Sequence, residues 1–238
     1  MYAIIDAPAC HEHETLCGHC EVRAASICGA LHDDELNELD HLAHLKHYPA
    51  RGALFYEGEE GEHVFNIKKG VLRLSRILSD GRRQVLGFVL PGDFLGLSLK
   101  SRHDFTAETI SAVDACRFER KKFVEYVDTK PHLLRSLHVA TANELALGRE
   151  QMVLLGRRTA EEKVAAFLLS LRNRYRRITA CDVNLPLPMT RQDIADYCGL
   201  TLETVSRIFS KLAREKMILV VPDGIRIIML DRLRTIVA

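Results

Sequence analysis

Two groups of residues in this 238-residue chain could do chemistry. The first is thiol-based: seven cysteines, of which Cys17, Cys20 and Cys28 fall within a dozen positions of each other, with Cys10 just before them and Cys116, Cys181 and Cys198 far downstream. An odd count clustered in this way, in a chain expected to be cytosolic, reads as metal or redox chemistry ahead of disulfides. The second is a constellation for reading bases. Glu203 and Arg207 stand one helical turn apart with Ser206 beside them. Arginine can grip O6 and N7 of guanine, glutamate can accept from N4 of cytosine, and serine can reach base or phosphate.

The second group needs a helix lying in the major groove, and the residues around it supply one. Thr190 with Asp193 three residues on forms a shortened capping box, Gly199 can take the left-handed conformation of a sharp turn, and Thr201 caps the helix that follows. A small residue, Ala195, then Gly199 four later, then β-branched Val205 six after that is helix-turn-helix spacing, with Ile194, Leu200 and Ile208 completing the buried side. Pro222-Asp223-Gly224 between two alternating apolar runs predicts a hairpin wing. Thr190, Arg191 and Thr201 sit at helix N-termini, where backbone amides favour phosphate, and are expected to make the positioning contacts.

Charge divides along the chain in the same sense. Residues 157–238 hold 15 Lys and Arg against 9 Asp and Glu, while the whole chain is at +1, so a basic C-terminal part joins an acidic body. Glycine-punctuated apolar runs over residues 52–118 predict a small antiparallel sandwich or barrel. An enzyme built on such a barrel, of the cupin type, would need several inward histidines, and only His63 and His103 lie in that stretch, so no enzyme is expected. His41, His44 and His47 recur at three-residue steps and predict one solvated helix face.

After Pro131 the pattern becomes helical, with Leu134, His138, Thr141, Leu145, Gly148, Met152 and Leu155 spaced as a heptad seam for a parallel dimer. A further helix is expected from Arg157 to Arg177, followed by a proline-bracketed strand around Leu185. Cys181 and Cys198 are expected to be packing residues. No apolar run is long enough to span a bilayer, and the N-terminus lacks the pattern of a signal peptide, so a cytoplasmic protein with no membrane contact is expected.

A glycine-rich β-roll, a long helix, and then Met189-Thr190-Arg191-Gln192-Asp193-Ile194-Ala195 through Glu203-Thr204-Val205-Ser206-Arg207 resembles the Crp/Fnr family of bacterial transcription regulators. The Glu-x-x-Ser-Arg form of the second helix is closest to the Fnr and FixK branch. This resemblance implies an α+β architecture. A cysteine-rich arm (1–31) would lead into a cyclic-nucleotide-binding-like β-roll, a double-stranded jelly roll (32–128), then a dimerisation helix (129–156) and a winged helix-turn-helix domain (157–238). A homodimer reading double-stranded DNA at a TTGAT-N4-ATCAA-like palindrome is implied as well.

Family members that bind cyclic nucleotides hold the phosphate with a Gly-Glu segment and an Arg-Ser or Arg-Thr pair. Here the matching stretches read Gly92-Asp93-Phe94-Leu95-Gly96-Leu97-Ser98 and Phe105-Thr106-Ala107-Glu108-Thr109, without an arginine, so no cyclic nucleotide is expected. The likeness to Fnr implies instead a [4Fe-4S] cluster, with Cys17, Cys20 and Cys28 matching its three N-terminal ligands and Cys116 the fourth. Cys10 is a rival fourth ligand, and the four N-terminal cysteines could equally hold zinc, with His11, His13 and His19 nearby. Control by thiol oxidation or by cellular amount, with no cofactor, is the other alternative. The loop carrying Ser79, Asp80, Gly81 and Arg82 is implied to touch RNA polymerase, against the plain reading of a β-turn.

Overall fold

The structure, a computed structural model, describes residues 17–96, 101–179 and 184–238. Expectations for Cys10, His11, His13, Leu97, Ser98 and Cys181 lie outside the described residues. The chain opens with two short 3-10 turns, Arg23–Ala25 and Ile27–Ala30, and then helix α1 (Asp33–Leu42). Asp33, Asp34 and Glu35 in its first turn suit the positive end of the helix dipole, and the Glu35 carboxylate accepts the His32 N–H at 3.0 Å.

Eight strands follow: β1 (His44–Tyr48), β2 (Ala53–Phe55), β3 (His63–Lys69), β4 (Leu72–Ile77), β5 (Arg83–Val89), β6 (Phe94–Leu95), β7 (Thr106–Thr109) and β8 (Val113–Glu119). They form two antiparallel sheets in the orders β1-β8-β3-β6 and β2-β7-β4-β5, which is the expected double-stranded roll. Phe55, Phe65, Ile67, Leu72, Leu74, Val89, Leu95, Ala107, Val113 and Ala115 pack as one cluster in the roll. His103 is buried there, stacked on Phe55 at 3.6 Å between ring centroids, as a core histidine.

One expectation is corrected. His41, His44 and His47 do not share a helix face, because α1 ends at Leu42 and His44 and His47 belong to β1. Among the described residues β1 is an edge strand paired only with β8, and even Leu45 in it is exposed. It therefore lacks the alternation that would mark a strand in the sequence.

Helices α2 (Arg120–Asp128) and α3 (Pro131–Arg157) close the roll, α3 starting on a proline whose missing N–H costs nothing at that position. Leu133, Leu137 and Leu154 of α3 are buried. All the expected seam residues except half-buried Gly148 are exposed instead, so the stripe faces away from the chain's own core. Helix α4 (Ala160–Tyr175) begins three residues later than expected, because Thr159 and Glu162 form a capping box.

The C-terminal part continues with β9 (Asn184–Pro186), α5 (Arg191–Cys198), α6 (Leu202–Arg214), β10 (Ile218–Val221), β11 (Gly224–Ile227) and α7 (Leu230–Val237). The β10-β11 hairpin is joined by β9 into a three-stranded wing. Among the described residues no helix is long and apolar enough to cross a membrane.

The turn between β3 and β4 depends on Gly70, which has φ of +86° and where an added Cβ would stand 2.1 Å from the Ala112 carbonyl oxygen. Gly70→Ala is expected to cost at least about 2 kcal/mol, from a left-handed backbone combined with a backbone clash. A urea midpoint unchanged from that of the parent protein would contradict this.

Candidate nucleic-acid interface and thiol site

The helix-turn-helix assembles as its residue types demand. At the start of α5 the Thr190 hydroxyl accepts the Asp193 N–H at 3.1 Å, and the Asp193 carboxylate accepts the Thr190 N–H at 2.9 Å. Gly199 takes φ 61° and ψ 44° to end α5, and Thr201 caps α6 by accepting the Thr204 N–H at 3.2 Å. Ile194, Ala195, Cys198, Val205 and Ile208 are buried between the helices, with Leu200 half-buried against them. On the outer side of α6, Glu203 and Arg207 are exposed and Ser206 is half-buried, so one face carries all three base-reading candidates. Thr190 and Thr201 are exposed at the helix starts. Arg191 lies with its guanidinium 3.2 Å from the Phe209 ring centroid, and burial pushes its pKa down to about 10, so it is still cationic at neutral pH.

The opposite side of α5 is held by the β-roll. Asp193, 1% exposed, accepts from Arg73 of β4 at 2.8 Å and from Arg83 of β5 at 2.9 Å. Arg83 also donates to Asp196 at 2.8 Å, Gln84 donates to the Asp196 carbonyl at 2.8 Å, and Glu108 of β7 accepts two bonds from Arg73. Phe88 of β5 meets Phe167 of α4 and Tyr197 of α5, with ring centroids 5.8 and 5.6 Å away. One apolar cluster accordingly runs from Val85, Phe88 and Leu90 through Leu154 of α3 into the helix-turn-helix. No sequence periodicity marks these arginines. The sequence marks Asp193 only as a cap and Glu108 only by its place in a stretch without an arginine.

A third assembly gathers thiols at the other end of the roll. Cys17, Cys28 and Cys116 are each less than a tenth exposed and share one apolar cluster with Leu36, Leu39, Val64, Phe118, Phe123, Leu133 and Leu137. Burial pushes the Cys28 and Cys116 thiols up to about 11 and raises Cys17 further, with the Asp40 carboxylate adding to the rise at Cys17. Each also feels other sulfurs, Cys17 those of Cys28 and Cys116, and Cys116 those of Cys28 and half-buried Cys20. Three of the four residues singled out as ligands, Cys17, Cys28 and Cys116, therefore pack together, and Cys20 lies within electrostatic reach of Cys28 and Cys116. His19 is exposed. Among the described residues, no group of three or more His, Cys, Asp or Glu side chains is arranged to hold a metal ion.

The loop with Ser79, Asp80, Gly81 and Arg82 is the exposed tip of the β4-β5 hairpin. Asp80 accepts the backbone N–H of Arg82 at 3.0 Å and its Nε at 2.7 Å, with Gly81 at φ +83°, so the tip is a self-bonded turn open to solvent. Glu108 and Asp93, the carboxylates where a nucleotide phosphate would be sought, are engaged by Arg73 and by Arg174 of α4 respectively.

A β-roll joined by a long helix to a winged helix-turn-helix defines a DNA-binding regulator with an N-terminal roll. The Crp-like helix-turn-helix domain family matches residues 162–236, and the cyclic nucleotide-binding domain family matches residues 45–130. The chain is 47% identical over 88% of its length to the transcriptional activatory protein AadR of Rhodopseudomonas palustris, covering 88% of that protein. It is 45% identical to the nitrogen fixation regulation protein FixK of Bradyrhizobium diazoefficiens, with 89% of this chain and 90% of that one covered. The solved structure of FixK2 from Bradyrhizobium japonicum superimposes with a TM-score of 0.76 at 36% identity, covering 82% of this chain and 98% of that one. The chain belongs to the Crp/Fnr family of transcription regulators, on the side of its Fnr and FixK members, and is not an enzyme.

Arg207→Ala is expected to cost about 1 to 3 kcal/mol on a matched duplex and to flatten base preference at one position. Arg191→Ala should weaken matched and mismatched duplexes alike. Titrations on both duplexes check this, and an Arg207 variant that discriminates as the parent protein does would refute its role.

Proposed function

We propose that the chain is an oxygen-responsive transcription activator that reads a TTGAT-N4-ATCAA-like palindrome as a homodimer, under the control of a [4Fe-4S] cluster. The observation that carries the reading is the convergence of Cys17, Cys28 and Cys116 in one apolar cluster against α3, with half-buried Cys20 within electrostatic reach of Cys28 and Cys116. The donor types fit such a cluster, since four thiols are what it needs, and three of the four are buried; the side chains are not arranged around a single ion, and a cluster would sit among them at a wider spacing. When bound, the cluster supplies sensitivity to oxygen. FixK, AadR and the transcriptional activator FnrL of Cereibacter sphaeroides are relatives whose names give activation or nitrogen fixation control, and activation is carried over from them.

The chain's own residues supply the rest. Cys28 lies in the 3-10 turn Ile27–Ala30, which packs directly on α3, and Leu133 and Leu137 of α3 share the thiol cluster. The far face of α3 leaves Val139, Leu145, Met152 and Val153 more than half exposed, a surface suited to a second copy of the helix. A shift of a few kcal/mol in pairing through that face changes occupancy of a two-part site steeply, because both half-sites are engaged together. Cysteines that organise the start of α3 are thereby linked to how tightly two recognition helices are presented. The roll is read as taking no cyclic nucleotide, and the 79–82 tip as the surface offered to RNA polymerase.

Regulation by direct thiol oxidation is less well supported, because burial holds Cys17, Cys28 and Cys116 in the protonated, unreactive form. Zinc would fit the same four donors, and composition separates the two. Protein isolated without air is expected to be brown, with broad absorption near about 400 nm, and to carry iron and sulfide at about four each per chain. A colourless protein, with zinc or with no metal, would overturn the cluster.

A further inference from the structure

Asn66 is the polar exception among the buried residues of β3, where Val64, Phe65 and Ile67 are apolar. It stands opposite Cys116 of β8 on one side and Phe94 of β6 on the other, and is 2% exposed. Its Nδ2 donates to Sγ of Cys28 at 3.5 Å, while its Oδ1 has no hydrogen-bond partner. An unsatisfied amide oxygen in a dry core costs about 1 to 3 kcal/mol, and a leucine of similar size would remove that cost. The roll would pack as well or better without the amide, so packing does not account for it.

We infer that Asn66 is the positioning residue of the thiol site, donating a hydrogen bond to the Cys28 sulfur that orients this ligand and tunes the group it helps to hold. The inference rests on the iron–sulfur reading above and deepens it. A neutral N–H···S contact is weak, but once the sulfur is a metal-bound thiolate the bond becomes charge-assisted and strengthens. It then withdraws electron density from the sulfur and favours the more negative, reduced form of the cluster, which raises its potential. It also anchors the 3-10 turn carrying Cys28 to β3, the strand that lies beside Cys116. The turn and the strand, which reach the site from distant parts of the chain, are thus bridged by one side chain before any metal is present.

The test compares the full chain, loaded without air, with its Asn66→Leu and Asn66→Asp variants. Asn66→Leu should fold with a thermal midpoint equal to or above that of the parent protein, because an orphaned acceptor has gone. Its cluster should titrate at a lower midpoint potential, its iron–thiolate stretch in resonance Raman should move up, and it should lose iron in air several-fold faster. Asn66→Asp puts acceptors where the donor stood, and should retain about ten-fold less iron and sulfide or worse. An Asn66→Leu protein with the parent's potential, Raman band and rate of iron loss would overturn the role of Asn66 and leave the cluster reading intact. A parent protein without iron and sulfide would overturn the cluster reading and this inference with it.

Discussion

The carboxylate of Asp193 is where the halves of this molecule are tied together. It is all but sealed from water, caps α5 from within, and meets guanidinium groups sent from two strands of the roll. A buried charge in such a position is tolerable only while its partners are in place, and removing one partner of such a pair commonly costs about 3 to 5 kcal/mol. The first helix of the helix-turn-helix therefore cannot drift from the roll without a penalty. The aromatic contact of Phe88 with Phe167 and Tyr197 adds area to the same junction, and Gln151 of α3 reaches the Val85 carbonyl at 3.1 Å beside it. The orientation of the DNA-reading helix is in this way referred to β4, β5 and α3 together.

At the far end of α3 the constraint is of another kind. Thiols in an apolar pocket are driven toward the neutral form by desolvation, and only a metal group or a strong donor reverses that preference. The segment from Cys17 to Ala30 is small, with few buried residues of its own, and it is seated against α3 through the Ile27–Ala30 turn. One helix consequently carries the thiol pocket at its start, an open apolar face along its middle, and the junction with the DNA-binding part at its end. Leu155 marks that end, since an added Cβ at Gly199 would lie 3.2 Å from its side chain.

The helix-turn-helix was legible in the sequence because its constraints are local. Thr190 with Asp193, Gly199 and Thr201 each do what their side chains do best within four residues, and the structure shows all four doing it. The roll was legible as a set of glycine-punctuated strands, but not its edge: β1 buries nothing that alternates, and its histidines mimicked a helical step. The open stripe on α3 followed from periodicity. Arg73, Arg83 and Asn66 could not be foreseen, since their roles come from partners 35 to 120 positions away, and only folding brings those together. Arg83 directly follows the exposed 79–82 tip, yet it turns inward to Asp193 and Asp196.

The account stands or falls on whether the thiol pocket controls the reading of DNA. Fluorescence anisotropy on a labelled TTGAT palindrome, with protein kept free of air and then with the same sample after exposure to air, measures that link directly. The account predicts that affinity for the palindrome falls by about tenfold or more on exposure, roughly 1.4 kcal/mol, while the weak affinity for scrambled duplex stays as it was. Equal affinity for the palindrome before and after exposure would contradict it.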